Sequence, residues 1–430
     1  MRRTLLLFLL CFTRAVVAQE SDDYFNPNYV RFEDKTYVPY IKTVQLERQG
    51  EPMSLPYIAL NGNEQLTLQF DLLQEEIRDF SYKFVHCDPN WRPSILSEND
   101  YIDGFYTDHL IDYKHSLNTL QEYWHYQLIF PNAQMKPLIS GNYLLLVFDT
   151  AVPDSIILSK RFYVVEQRIE FKTNIHRSTI IEQRNSHQEA DFSLYLKSLK
   201  VANPYSDIQI VIQQNADKNF QITGLKPIFA NGEMLDYNYD DINNFEGGSE
   251  YRNFDIRTTR FLTQNIEKFY TDSFSQEQKA LLKAEPRRNT QRYTSDNDIN
   301  GKYLIKIYEG RDANLEGDYI DVTFRLKTPA DFSENPVYLE GQFSDYSLTN
   351  EYRMNYNTNS GCFEKTIRCK QGYYNYRYVT VSPSGICSTL ETEGSHYETL
   401  NEYYFFAYFK EPGTRYDKLI GIHVANAGGF

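Results

Sequence analysis

Trp124-His125-Tyr126-Gln127-Leu128-Ile129-Phe130 puts Trp124, Tyr126, Leu128 and Phe130 on one face of an extended chain. A helix would scatter these four side chains around its circumference, whereas a strand gathers them at a period of two. The same rhythm returns at Leu66, Leu68 and Phe70, at Tyr143, Leu145 and Val147, and at Phe192, Leu194 and Leu196. It continues through Ile208, Ile210 and Ile212, through Ile320, Val322, Phe324 and Leu326, and into the aromatic runs Tyr373 to Tyr378 and Tyr403 to Phe409. Turn residues such as Asn61-Gly62-Asn63, Ser140-Gly141-Asn142 and Gln371-Gly372 punctuate these segments, as strands that reverse direction require.

The reading is therefore all-β. With 430 residues and sandwiches of roughly 100–150 residues each, it predicts three tandem β-sandwich, immunoglobulin-like domains. The expected divisions are 19–165, 166–328 and 329–430, placed where strands end near Glu166 and at Thr328-Pro329. One short accessory helix is expected over Ser275 to Ala284, where Ser275 and Gln278 match a capping box ahead of Ala280, Leu281 and Leu282. The polar stretch 285–300 reads as an exposed loop in the second domain.

Residues 1–18 read as a signal peptide: Arg2 and Arg3, an apolar run from Leu5 to Phe12, and Val16-Val17-Ala18 before Gln19. This implies export, and no later stretch is long and apolar enough to insert in a membrane. The net charge of −14 makes nucleic acid a poor partner. Of the cysteines, Cys87 reads as a buried free thiol. Cys362 and Cys369 would lie roughly 20 Å apart on one strand, beyond disulfide reach, which leaves a bridge from Cys387 to either one open in an oxidising compartment.

Catalytic and metal motifs are weak. Asp296-x-Asp298-x-Asn300-Gly301 begins like a calcium loop, but its glutamate should fall at Ile307 and Glu309 comes two positions late. An ordinary polar turn is the expectation. The eight histidines show no zinc spacing, and His86-Cys87, as strand neighbours, should point to opposite faces. No nucleophile elbow, phosphate loop or dinucleotide fingerprint is present, so neither an enzyme nor a cofactor is expected.

Tyrosine is overused, at 36 copies, and many of these rings are expected on the surface, where tyrosine favours protein interfaces. Sheet-face cross-strand pairs are the alternative. Trp91, held in a loop by Pro89 and Pro93, reads as either a buried anchor or a partner contact. Pro336 to Val379, with Gly341-Gln342-Phe343 and Gly372-Tyr373-Tyr374-Asn375-Tyr376, resembles early-set immunoglobulin-like modules related to glycogen- and starch-binding domains. Tyr346 stands where the sugar-binding members of that group stack a tryptophan, which makes it a second candidate contact and glycan binding the alternative function.

Lys42-Thr43-Val44-Gln45-Leu46, Phe80 to Cys87, Tyr101-Ile102-Asp103-Gly104-Phe105, Ser140 to Leu144, Asn203-Pro204-Tyr205, Gly224 to Pro227, Tyr251 to Asp255 and Arg415 to Gly421 together resemble the type IX secretion system plug protein family. The resemblance implies a non-enzymatic periplasmic protein. Its implied partner is the outer-membrane translocon barrel of that system, whose periplasmic opening it would seal while no substrate is engaged.

Overall fold

A computed structural model describes residues 29–427 apart from Ser275; the expected signal peptide lies outside the described residues. The expected β architecture is present as three sandwiches, each with its own apolar core.

In the first, the Ile41–Arg48, Leu66–Leu72, Trp124–Phe130 and Asp112–His115 strands form one sheet. The second sheet is built on Phe80–Cys87, Gly141–Asp149 and Ile156–Val165. The alternation seen in sequence faces the sheets inward: Leu66, Leu68, Phe70, Tyr126 and Phe130 meet Phe84, Tyr143, Leu145 and Phe162 in one cluster. Each such side chain contributes about 1.5–3 kcal/mol by leaving water.

The second and third sandwiches interleave along the chain, which corrects the expected division at Thr328-Pro329. Glu402–Phe409 pairs with Ile208–Gln214, so Tyr403, Phe405, Ala407 and Ile420 belong to the core of Phe192 and Leu194. Arg252–Asp255 instead pairs with Gly372–Val381, and Tyr319–Lys327 with Cys362–Lys370. The third sandwich is thus inserted within the second. Local patterning carries no information on which distant strand completes a sheet.

The accessory helix is also corrected. Gln278–Leu282 is a strand flanked by Ile266–Thr271 and Tyr319–Lys327. Ala280 and Leu282 are buried there while Lys279 and Leu281 are half-buried, so tertiary pairing overrides helix propensity. Helices among the described residues are single turns such as Glu98–Tyr101, Pro204–Asp207 and Ala313–Glu316. Nor is 285–300 a free loop throughout. Glu285–Pro286 pairs with Leu326 and Lys327, and Arg288 Nε donates to Glu393 at 2.7 Å.

All four described cysteines are free, Cys387 included, so no bridge to Cys362 or Cys369 forms. Cys87 is buried, as expected, and burial pushes its thiol up to about 12. His86 faces the ring of Tyr143 while Cys87 joins Leu144 and Leu146 on the opposite face.

Candidate docking surface

Tyrosine is mostly interior. Nine of the twelve largest fully buried side chains are tyrosines, and seven tyrosines are exposed among the described residues, which corrects the expectation of a tyrosine-rich surface. A buried phenol needs a hydrogen-bond partner, and many find it in another sandwich. Tyr123 Oη donates to the Gly317 carbonyl at 2.9 Å, Tyr408 Oη to Asn142 Oδ1 at 2.8 Å and Tyr303 Oη to the Val44 carbonyl at 3.2 Å.

Buried charges reinforce these joints. Asp71, in the first sandwich, is fully buried and accepts from Lys370 Nζ at 2.6 Å and Tyr319 Oη at 2.6 Å, both in the third, and meets His125 Nδ1 at 2.7 Å. Burial alone would raise the Asp71 carboxyl, but the Lys370 ammonium and His125 hold it below its usual range. Arg377 joins the third sandwich to the second, with Nε on Glu340 and a terminal nitrogen on Asp217, each at 2.6 Å. Lys160 and Asp345 join the first to the third.

Where the three sandwiches meet, a cleft is lined by Asp34, Lys160, Lys218, Lys302, Asp345 and Tyr346, among others. Its lysines are committed to carboxylates: Lys302 to Glu402 at 2.7 Å, Lys218 to Glu33 at 3.1 Å and Lys160 to Asp345. It offers a neutralised junction rather than a pair of free carboxylates for acid–base work.

The two candidate contacts lie apart. Tyr346 lines the cleft at 8% exposure and its carbonyl accepts from Asn219 Nδ2 at 2.9 Å, so it presents no platform to a sugar or a partner. Trp91 is half-buried, with the Arg161 guanidinium 4.3 Å from its ring centroid and Tyr163 edge-on at 5.3 Å. It is wedged where the first sandwich meets the second, packed against both clusters of that junction. In the calcium-like segment, Asp298 carboxylate oxygens accept from the Tyr251 and Asn300 amides, closing a turn.

Apolar side chains reach solvent most densely between Ser94 and Leu138. Ile95, Phe105, Tyr106, Ile111, Tyr113, Leu117, Leu120 and Leu138 are all exposed, with Phe105 at 63%, Leu120 at 68% and Ile111 at 85%. The backbone around them is well anchored. Tyr101, Ile102, Leu110 and Met135 plug into the first core, and Ile102–Gly104 pairs with Met135–Pro137, the Phe105 amide donating to the Gln134 carbonyl at 2.8 Å.

Asp108–His109 and Asp112–His115 are edge strands of the two opposed sheets, so the chain crosses one open side of the sandwich and exposes Ile111 on the way. Tyr82 Oη donates to Asp108 at 3.2 Å and holds this crossing. Burial pushes the Tyr82 phenol up to about 12, so it stays a donor. The same region exposes charges of both signs, Glu98, Asp103, Asp112 and Glu122 with Arg92, Lys114 and Lys136. Exposed apolar side chains beside an open sheet edge, flanked by charged residues, have the character of a protein contact. The signal was present in sequence as apolar residues outside any period, such as Leu117 and Leu120 in a polar loop.

Residues 41–166 match the family model described as the type 9 secretion system plug protein first domain. Over 92% of its length, and over the whole of the other chain, the protein is 31% identical to a solved hypothetical protein from Parabacteroides merdae ATCC 43184, with a TM-score of 0.89. In the comparison with curated proteins nothing matches. Among the described residues, no helix is long and apolar enough to cross a membrane.

Proposed function

We propose, on the premise that this chain belongs to the family of the Parabacteroides merdae protein and carries a type 9 secretion system plug first domain at 41–166, that it is a non-enzymatic periplasmic plug. It binds the outer-membrane translocon barrel of that system and seals its periplasmic opening while no substrate is engaged.

The observation that carries this reading is the set of exposed apolar residues on the first sandwich, all of which, from Ile95 to Leu138, lie within the family-matched residues 41–166. Three sandwiches welded by buried ion pairs and phenols support a plug in a second way. A body that must block an aperture keeps its shape without reorganising on docking, which lowers the entropic cost of binding. Release when cargo engages is then a shift between two translocon complexes rather than a change of fold.

The test uses tagged mature protein recovered from gently solubilised envelopes, with secretion idle and then stalled on cargo. The barrel is expected chiefly in the idle sample, and Phe105→Ser combined with Ile111→Ser should reduce its recovery at least tenfold. Absence of the barrel from the idle sample would overturn the plug, whereas recovery undiminished by the double variant would move the docking surface elsewhere.

A further inference from the structure

His176 and Glu189 lie directly opposite on the antiparallel Glu170–Arg177 and His187–Tyr195 strands, and Asp191 is two residues along on the same face. That face points away from the core, since Ala190 and Phe192 between and beyond them are the core members. His176 Nε2 is 2.8 Å from Asp191 Oδ2 and 3.9 Å from Glu189 Oε1, and the three donor atoms lie within 4.8 Å of one another.

The other ring nitrogen settles the chemistry of this arrangement. His176 Nδ1 is 2.8 Å from the Arg177 carbonyl, which can only accept, so Nδ1 carries a proton. In the neutral ring Nε2 is then a lone pair aimed at a carboxylate oxygen. Two acceptors at that distance need a proton or a metal cation between them. A ring nitrogen tied to a backbone carbonyl while its partner faces carboxylates is also how metal-bound histidines are oriented.

The surroundings supply further donors and hold the carboxylates in place. Thr179 donates to Glu189 Oε2 through its amide and hydroxyl, each at 2.8 Å, leaving Oε1 toward the histidine. Asn243 Nδ2 donates to Asp191 Oδ1 at 2.8 Å, while its fully buried Oδ1 has no hydrogen-bond partner. The Asn238 amide faces both oxygens of Asp191. It turns its NH2 inward on a bare carboxylate and its oxygen inward on a shared cation. Among the described residues no lysine or arginine pairs with Glu189 or Asp191. The Arg177 guanidinium is engaged with Arg184, Asn185 and the Tyr397 ring.

We propose that His176, Glu189 and Asp191, with the Asn238 amide oxygen, form a site for a divalent transition cation of the zinc or manganese class. One imidazole with oxygen donors suits these ions better than calcium or magnesium. Around a tetrahedral cation with bonds of about 2.0–2.2 Å, ligand atoms lie about 3.3–3.6 Å apart. The distances from His176 Nε2 fall on either side of that spacing, 2.8 Å to Asp191 and 3.9 Å to Glu189, and shifts of about an ångström or less in the two carboxylates complete the set. Asn238 is exposed and His176 half-buried, so the cation enters from solvent, drawn by exposed Asp240 and Asp241 on the same turn. Bound there, it clamps two strands of the second sandwich to the 238–243 turn.

The experiment strips the mature protein with a chelator, adds zinc or manganese, and measures retained metal per chain and the melting temperature. One retained equivalent and a rise of several degrees are expected with zinc. His176→Ala and Asp191→Asn should each weaken retention at least tenfold. Asn238→Ala, on an exposed turn that leaves the fold intact, should weaken it severalfold and serves if either of the others fails to fold. No retained metal, or retention equal in the wild type and these variants, overturns the site and leaves the histidine as an imidazolium paired with Asp191.

Discussion

Replacing Lys370 by methionine tests whether the sandwiches act as one body. Lys370 and Asp71 are both shut off from solvent, 2.6 Å apart, with the ammonium also donating to the Asn314 carbonyl at 2.7 Å and lying 4.1 Å from the Tyr123 ring centroid. Methionine keeps the bulk and removes the ammonium, leaving the buried Asp71 carboxylate only its Tyr319 and His125 hydrogen bonds, a loss of about 3–5 kcal/mol. Unfolding entropy is about 2.1 cal/mol/K per residue. If roughly 400 residues melt together, the melting temperature falls by about 4–6 °C; if a sandwich of about 130 residues melts alone, the same loss lowers its transition by about 11–18 °C. Calorimetry of the wild type and Lys370→Met therefore reads both the cost of the change and the size of the cooperative unit, and the smaller shift with a single transition is expected. Adding Asp71→Asn should recover at least half of the loss, because no buried charge remains. A Lys370→Met protein melting within 1 °C of the wild type would refute the reasoning.

Tyr319→Phe removes one donor to Asp71 and should cost about 1.5–3 kcal/mol in denaturant titration, with no change in far-ultraviolet circular dichroism. Glu393 is a pH test: although burial opposes its charge, Arg252 and Arg288 hold its carboxyl at about 2 against an ordinary 4.5, a contribution of about 3 kcal/mol. Because the folded value is the lower one, that stability is present above about pH 4.5 and is lost as pH falls toward 2. Glu393→Gln should accordingly flatten the fall in stability across that window, and an unchanged slope would show that its arginine partners do not lower it. Protein lacking residues 1–18 should give four titratable thiols on denaturation, while Cys87 and Cys369, each pushed up to about 12 by burial, should resist a thiol reagent in the native state.

Sequence alone determined the class of fold and most strands, because a half-buried strand writes its orientation into every second residue: Leu66, Leu68 and Phe70, or Ile320, Val322 and Phe324, need no partner to be read. It also separated His86 from Cys87 and identified the likeness to the plug family. Tertiary structure alone decided how strands were shared. Glu402–Phe409 completes the second sandwich from the far end of the chain, and Gln278–Leu282 is a strand because two neighbours offer it hydrogen bonds. The same holds for function. Tyr346 is a good interface residue by type and a cleft residue by place, whereas Phe105 and Ile111 became candidates through their exposure in the folded chain. His176 is 13 and 15 residues from its carboxylates, a distance that follows no metal-binding spacing, and only the register of two strands brings them together. Side-chain periodicity is a local property of the backbone, while partnership between distant segments is settled by packing the whole chain.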